Sequence, residues 1–381
     1  MNNRWFHIAL FVSWLAGLSS CVEEYKPDII EAPNNYLVVE GTLLDNDTTV
    51  IRLSRTSGLD SLGTKPVNNA SIVVESSGGG SLLTLAELGD GIYKAFSDLD
   101  ASRNYRLKIT TSGKIYYSEY VPVKDAPEVG NVGWDVVSGN NIQVHVSSSD
   151  PQNNTIYYRW DFMETWEYRS AYNSVYKFED DVVQVRDIPE ELIHICYRTK
   201  GSTDIYAASS TQLNEDVISK YPLQLIRLAG DDRLDRRYSI LVRQYALTRE
   251  AFEFWDILKK NTENLGTLFD PQPSQLPSNF YCETNPDEPV IGYFSAGRVT
   301  QKRLFIDRSD IPFSFNYNRF PVCALDTVSI DSTLSYDLFN NSPYIPVDTY
   351  GVFEPTDYLY SDRSCVDCRL GGGTLEKPDF W

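Results

Sequence analysis

The chain has 381 residues, 42% hydrophobic and 13% aromatic, proportions that exclude an intrinsically disordered protein. Its 34 basic residues stand against 53 acidic ones, a net charge of −19, and no stretch concentrates Lys or Arg. Such a chain repels phosphate backbones, which argues against nucleic acid as a partner. The balance of 25 Tyr to 2 Met favours strands and rigid contact surfaces.

Residues 1–20 read as a secretory signal. Arg4 precedes a mostly apolar run from Trp5 to Leu18, interrupted by His7, Ser13 and Gly17, and small residues close it. The run is too short to cross a hydrocarbon core of about 30 Å and continue as a stable anchor. Leu18-Ser19-Ser20-Cys21 resembles the bacterial lipobox, which predicts that Cys21 is lipidated and becomes the mature N-terminus. Each buried methylene contributes on the order of 0.8 kcal/mol, so two or three acyl chains hold a protein at a membrane without a spanning helix. Residues 21–35 then read as a linker, because Lys26, Pro27 and Pro33-Asn34-Asn35 carry no apolar period.

Residues 36–125 predict an immunoglobulin-like β-sandwich. Leu37 to Gly41, Thr49 to Ser54, Ala70 to Glu75, Ile92 to Phe96 and Tyr105 to Ile109 are short strand runs, separated by Gly-rich or Ser-Gly turns. Ala126-Pro127 marks a boundary. A second, fibronectin-like β module is expected to start over 126–185, where Ser138-Gly139-Asn140-Asn141 separates two strand runs as a hairpin turn. Residues 186–381 predict a β-rich α+β region with one clear helix and a loop-rich tail. Thr248 caps that helix, Ala251, Trp255 and Leu258 form its apolar stripe, and Lys259-Lys260 favour its C-terminal end. The fold class is therefore mainly β.

Few residues offer chemistry. His7 leaves with the signal, and His145 and His194 each stand alone on a strand run, where a structural role is the expectation. No H-E-x-x-H motif is present, which excludes a zinc protease of that type. Gly292-Tyr293-Phe294-Ser295-Ala296-Gly297 is one residue too long for a nucleophile elbow, and its small residues suit close strand packing instead. Asp45-Asn46-Asp47 reads as a turn and Asp231-Asp232 as charge partners of Arg233, Arg236 and Arg237, in preference to calcium ligands. No catalytic residue, metal or cofactor is predicted.

With Cys21 committed to lipid, Cys196, Cys282, Cys323, Cys365 and Cys368 remain, an odd number that leaves one thiol over. Cys365-Val366-Asp367-Cys368 lacks the second CxxC of a zinc ribbon, and Arg369-Leu370-Gly371-Gly372-Gly373 argues against a helix starting there. A disulfide pinning the C-terminal loop is expected, with Cys323 the nearest candidate partner. The tail ends on Phe380-Trp381, rings expected to bury either on the chain's own body or in a partner.

Taken together, these residues resemble one family. Cys21, Val39-Glu40-Gly41, Leu53-Ser54-Arg55-Thr56, Pro66 to Ala70, Leu247-Thr248 with Glu253-Phe254-Trp255, Phe269-Asp270-Pro271 and Gly292 to Ser295 look like the Bacteroidota lipoproteins catalogued as domain of unknown function 4249. So do Cys365 to Arg369, Gly372-Gly373-Thr374 and Lys377 to Trp381, the most specific part of a resemblance that covers nearly the whole mature chain. The resemblance implies companions of TonB-dependent outer-membrane receptors and transfers no catalytic residue. Glu23-Glu24 after the lipidated cysteine is similar to a surface-display signal of such lipoproteins. The expected function is non-enzymatic: a surface lipoprotein that captures a ligand of unknown identity or serves a TonB-dependent receptor. A structural or adhesive surface protein is the alternative, and a hydrolase comes behind both.

Overall fold

Strands dominate the described residues, 35–57, 65–138, 141–213, 215–228, 230–263, 275–311, 320 and 322–381 of a computed structural model. Cys21 and the Phe269-Asp270-Pro271 motif lie outside them. The first sandwich follows from period two: Asn104–Thr111 buries Tyr105, Leu107, Ile109 and Thr111 and turns the residues between them outward. That strand pairs with Ser71–Ser76 on one side and Lys114–Ser118 on the other. Facing it, Leu37–Leu44 pairs antiparallel with Asp47–Arg55, which continues to Ile92–Ser97. Leu37, Ile51, Leu53, Ile72, Leu107 and Ile109 are fully buried between the two layers.

The contiguous segments 36–125, 126–185 and 186–381 need correction, because the chain returns to its first sandwich late. Val290–Gly292 and Ser295–Arg298 add parallel to Leu37–Leu44, and Ser295–Arg298 also runs parallel to Val121–Asp125. Phe280–Cys282 joins the other layer beside Lys114–Ser118. Parallel neighbours need a long crossover, and here the second sandwich and a helix supply it. The glycines admit the fit: a Cβ on Gly292 (φ +136°) would sit 2.1 Å from the Val39 carbonyl, and one on Gly297 2.3 Å from that of Lys124. Close strand packing is what the small residues of this motif serve.

The second sandwich sets Val129–Val137, Asn141–Ser149 and Val217–Ile226 against a sheet ordered Ile195–Gly201, Tyr157–Arg169, Arg237–Ala246, Thr300–Asp307. Val137 pairs with Asn141, as the expected hairpin requires. Its core joins Val144, Val146, Ile226, Trp160, Tyr238, Ile240, Val242 and Ile306. The helix runs Arg249–Glu263, and Thr248 Oγ1 accepts from the Ala251 amide at 3.2 Å. Ala251 and Phe254 are its buried residues, while Trp255 and Leu258 are half-buried. Around it Leu44 of the first sandwich meets Tyr245 and Leu247 of the second.

The tail is more regular than the loop-rich expectation. Asp326–Ser329, Asp357–Asp362 and Tyr344–Tyr350 form a three-stranded sheet, and Ser332–Phe339 is a helix capped by Asp331. Pro346 sits at a register shift in its strand, which hid the pattern from a period-two reading. The CxxC itself lies in two short helical turns, Arg363–Val366 with Cys365 and Cys368–Gly371 opened by Cys368. Asp362 and Asp367 cap them, and Gly372 (φ 85°) stops the second, so the expectation of no helix start is corrected.

Candidate functional site

The strand Tyr157–Arg169 carries the feature that the sequence reading passed over. Tyr158, Trp160, Phe162, Glu164, Trp166 and Tyr168 occupy alternate positions and are all buried, so one carboxylate stands in an aromatic row. An unpaired buried charge is costly, and Glu164 is held by two donors. Arg233 Nη1 donates to its Oε1 at 2.9 Å and the Tyr238 hydroxyl donates at 2.7 Å. Asp231 grips the same guanidinium from the other side, through Nε at 3.0 Å. Burial alone would lower the Arg233 pKa, but Asp231 and Glu164 outweigh it and hold the guanidinium above its ordinary value. Burial, then Glu164, push the Tyr238 hydroxyl well up, so it remains a donor.

This cluster floors a cavity of about 350 Å³ at one end of the second sandwich. Trp166 Nε1 donates to Asp232 at 3.0 Å, and Arg198 lies 3.6 Å from Asp232 and over the Trp166 ring. Tyr206 forms a half-buried wall, with Lys200 and Asp204 exposed at the rim. The arrangement offers aromatic surface, fixed hydrogen-bonding groups and rim charges of both signs, the chemistry of holding a polar ligand. A charged residue at a core-facing position of the Trp160 to Trp166 alternation was the signal available in the sequence.

The predicted residues fall elsewhere. Asp231 pairs with Arg233 as expected, whereas Arg236 meets Glu167 and Arg237 meets Asp307. Among the described residues, no group of three or more His, Cys, Asp and Glu gathers as a metal site would. His194 Nδ1 lies 2.9 Å from Ser170 Oγ, but that hydroxyl is buried, 2.7 Å from the Val366 carbonyl and 3.0 Å from that of Tyr172. His145 is buried with its Nε2 3.3 Å from Asp135. Neither histidine lines the cavity.

The cysteines form two bridges. Cys323 joins Cys365, the expected partner, and Cys196 on the second sandwich joins Cys368. Cys282 is the buried thiol left over. The tail lies on the same sheet: Trp381 packs edge-on against Tyr197 and Phe305, and its Nε1 donates to Glu167 at 3.2 Å. Phe380 sits under Arg303 and is 42% exposed. Of the two burial modes expected for these rings, docking on the chain's own body is seen for Trp381.

The model of the family described as "Domain of unknown function (DUF4249)" matches residues 22–303. The match ends before the C-terminal CxxC motif that carried the resemblance most specifically. No curated protein matches the chain. Among solved structures, the crystal structure of chicken CNTN1 FN1-FN3 domains is similar at 13% identity and a TM-score of 0.18. That match covers 56% of this chain and 62% of the other, less than two thirds of its length, and the fold reading rests on the strands themselves.

Proposed function

We propose a function on the premise that this chain belongs to the DUF4249 family: it is a lipid-anchored outer-membrane protein, displayed at the cell surface, that works without catalysis. Its role is to capture a ligand for, or otherwise serve, a TonB-dependent transporter. The observation that carries the reading is the cavity over Glu164, whose charged groups are already bound to one another and suit retention of a polar ligand. The Leu18 to Cys21 pattern supports the anchor, and the two disulfides suit a compartment outside the cytoplasm. Cys21→Ala is expected to abolish fatty-acid labelling and release the protein from membranes. With Cys21 intact, pull-down from native membranes should retain a transporter together with a small polar molecule. Lys200→Ala with Tyr206→Ala should lose that molecule and keep the transporter. Self-association without any transporter would favour the structural or adhesive alternative and sink this reading.

A further inference from the structure

The lobe closed by the Cys323–Cys365 disulfide has a one-sided composition. Between Cys323 and Cys365 there are six Asp and one Glu against a single Arg, Arg363, and no Lys. The same stretch exposes more apolar surface than scattered surface residues account for. Tyr350 is 59% exposed, Val352 85% and Phe353 100%, in one turn between the strands Tyr344–Tyr350 and Asp357–Asp362. Contiguous exposed apolar groups rimmed by polar residues mark interaction sites.

The turn is built to hold those side chains outward. The Thr356 amide donates to the Tyr350 carbonyl at 2.9 Å, and Thr356 Oγ1 donates to Asp357 at 2.6 Å. Gly351 lets the chain double back, since a Cβ there would lie 2.0 Å from the Glu354 carbonyl. Ile330 donates to the Thr356 carbonyl at 3.0 Å and so brings Asp331 and the start of the Ser332–Phe339 helix to the same end of the sheet. An apolar tip ordered before binding loses little conformational freedom when it docks.

We infer that the Tyr350–Phe353 turn is a docking surface for a protein partner that offers an apolar pocket rimmed by Lys and Arg. The pocket takes Val352 and Phe353. The basic rim answers Asp348 and Glu354, which are exposed on either side of them, and Asp357 at the foot of the turn. The charge pattern also decides against a lipid surface, because carboxylates beside Phe353 repel anionic headgroups, and against a second copy of this chain, whose net charge is −19. The inference does not require the partner to be a transporter.

The test places a photo-crosslinking phenylalanine analogue at Phe353 of the full chain in the cells that make it. Phe96, 63% exposed on the first sandwich, serves as the control position. The expected result is one protein adduct at 353, absent at 96, with the crosslinked peptide holding apolar residues beside Lys or Arg. Its yield should fall at least about tenfold on Asp348→Lys with Glu354→Lys, and also in about 1 M salt, where the screening length is roughly 3 Å. Phe353→Ser should lose the adduct's partner from copurification with the melting temperature unchanged, which separates docking from folding. An adduct with lipid or with a second copy, a yield insensitive to charge reversal, or no adduct at all overturns the inference. A well-behaved adduct with a non-transporter supports it while removing the transporter reading.

Discussion

Tyrosine is the residue that most shapes this core. The Tyr-rich balance pointed to strands and contact surfaces, and in the strands Tyr93, Tyr105, Tyr116, Tyr158 and Tyr238 are among the largest fully buried side chains. Each ring fills volume and carries a hydroxyl that must find a partner: Tyr93 donates to the Val67 carbonyl, Tyr116 to Glu288, Tyr158 to Asp216 and Tyr238 to Glu164. Glu164 is a buried carboxylate that depends on its partners, because breaking a buried pair leaves a charge uncompensated. Glu164→Gln is expected to destabilise by about 2–3 kcal/mol, below the full cost of breaking a buried pair because Asp231 still holds Arg233. Adding Arg233→Met to a Glu164 change leaves Asp231 without the guanidinium that grips it, so the double variant should cost more than Glu164→Gln alone, which urea denaturation will show. The histidines make a second expectation. Burial holds both His145 and His194 below the ordinary 6.5, against the field of Asp135 on the first and the Tyr172 carbonyl on the second. They stay neutral in the fold while the unfolded chain takes up protons, so their contribution is whole above about pH 6.5 and is lost as pH falls from there toward their folded pKa values. Melting temperature should drop between about pH 7 and 5, and His145→Asn with His194→Asn should flatten that slope even if it lowers the plateau.

At the scale of elements, local period was readable wherever a strand has one wet face. Asn104–Thr111 alternates cleanly and was expected as a strand; Tyr344–Tyr350, interrupted by Pro346 at a register shift, was not. The helix was legible for the same kind of reason, a cap at Thr248 and a stripe at helical spacing. The tail Lys377 to Trp381 has no period, and its fate depends on a surface made elsewhere. Trp381 lies between Tyr197 and Phe305, side chains from strands at opposite edges of one sheet. Trp381→Ala should therefore lower stability by about 1–2 kcal/mol, part of the value for a fully buried ring because this one is half-buried. A thermal melt that does not move would show the tail to be undocked in solution.

Over the whole molecule, the two sandwiches are interwoven. The chain leaves the first at Asp125, builds most of the second, returns through Phe280 to Arg298, and goes back with Thr300–Asp307. Polar ties fasten the crossings: Gln244 and Thr300 both donate to the Pro127 carbonyl, at 2.8 and 2.7 Å, and Arg298 pairs with Asp45 at 2.6 Å. The Cys196–Cys368 bridge spans 172 residues and ties the C-terminal lobe to the second sandwich. In the chain-entropy view such a closure contributes up to about 5 kcal/mol. Cys196→Ser with Cys368→Ser should cost about 2–5 kcal/mol and expose the segment after Gly371 to protease first; an unchanged denaturation midpoint would show the bridge to be idle.

By itself the sequence determined the mainly β class, the hairpin at Ser138 to Asn141, the helix after Thr248, and the expectation of a disulfide at the C-terminal CxxC, with Cys323 only its nearest candidate partner. Each of these is a local regularity or a count, set by backbone period, capping chemistry or the number of thiols. Only the tertiary structure decided that Val290–Gly292 and Ser295–Arg298 complete the first sheet, that Cys196 is the partner of Cys368, and that Glu164 meets Arg233 and Tyr238. The physical reason is one of range. A parallel neighbour, a remote thiol and a counter-ion are chosen by shape and solvation across the folded chain, and no repeat in the residues around either member announces the other.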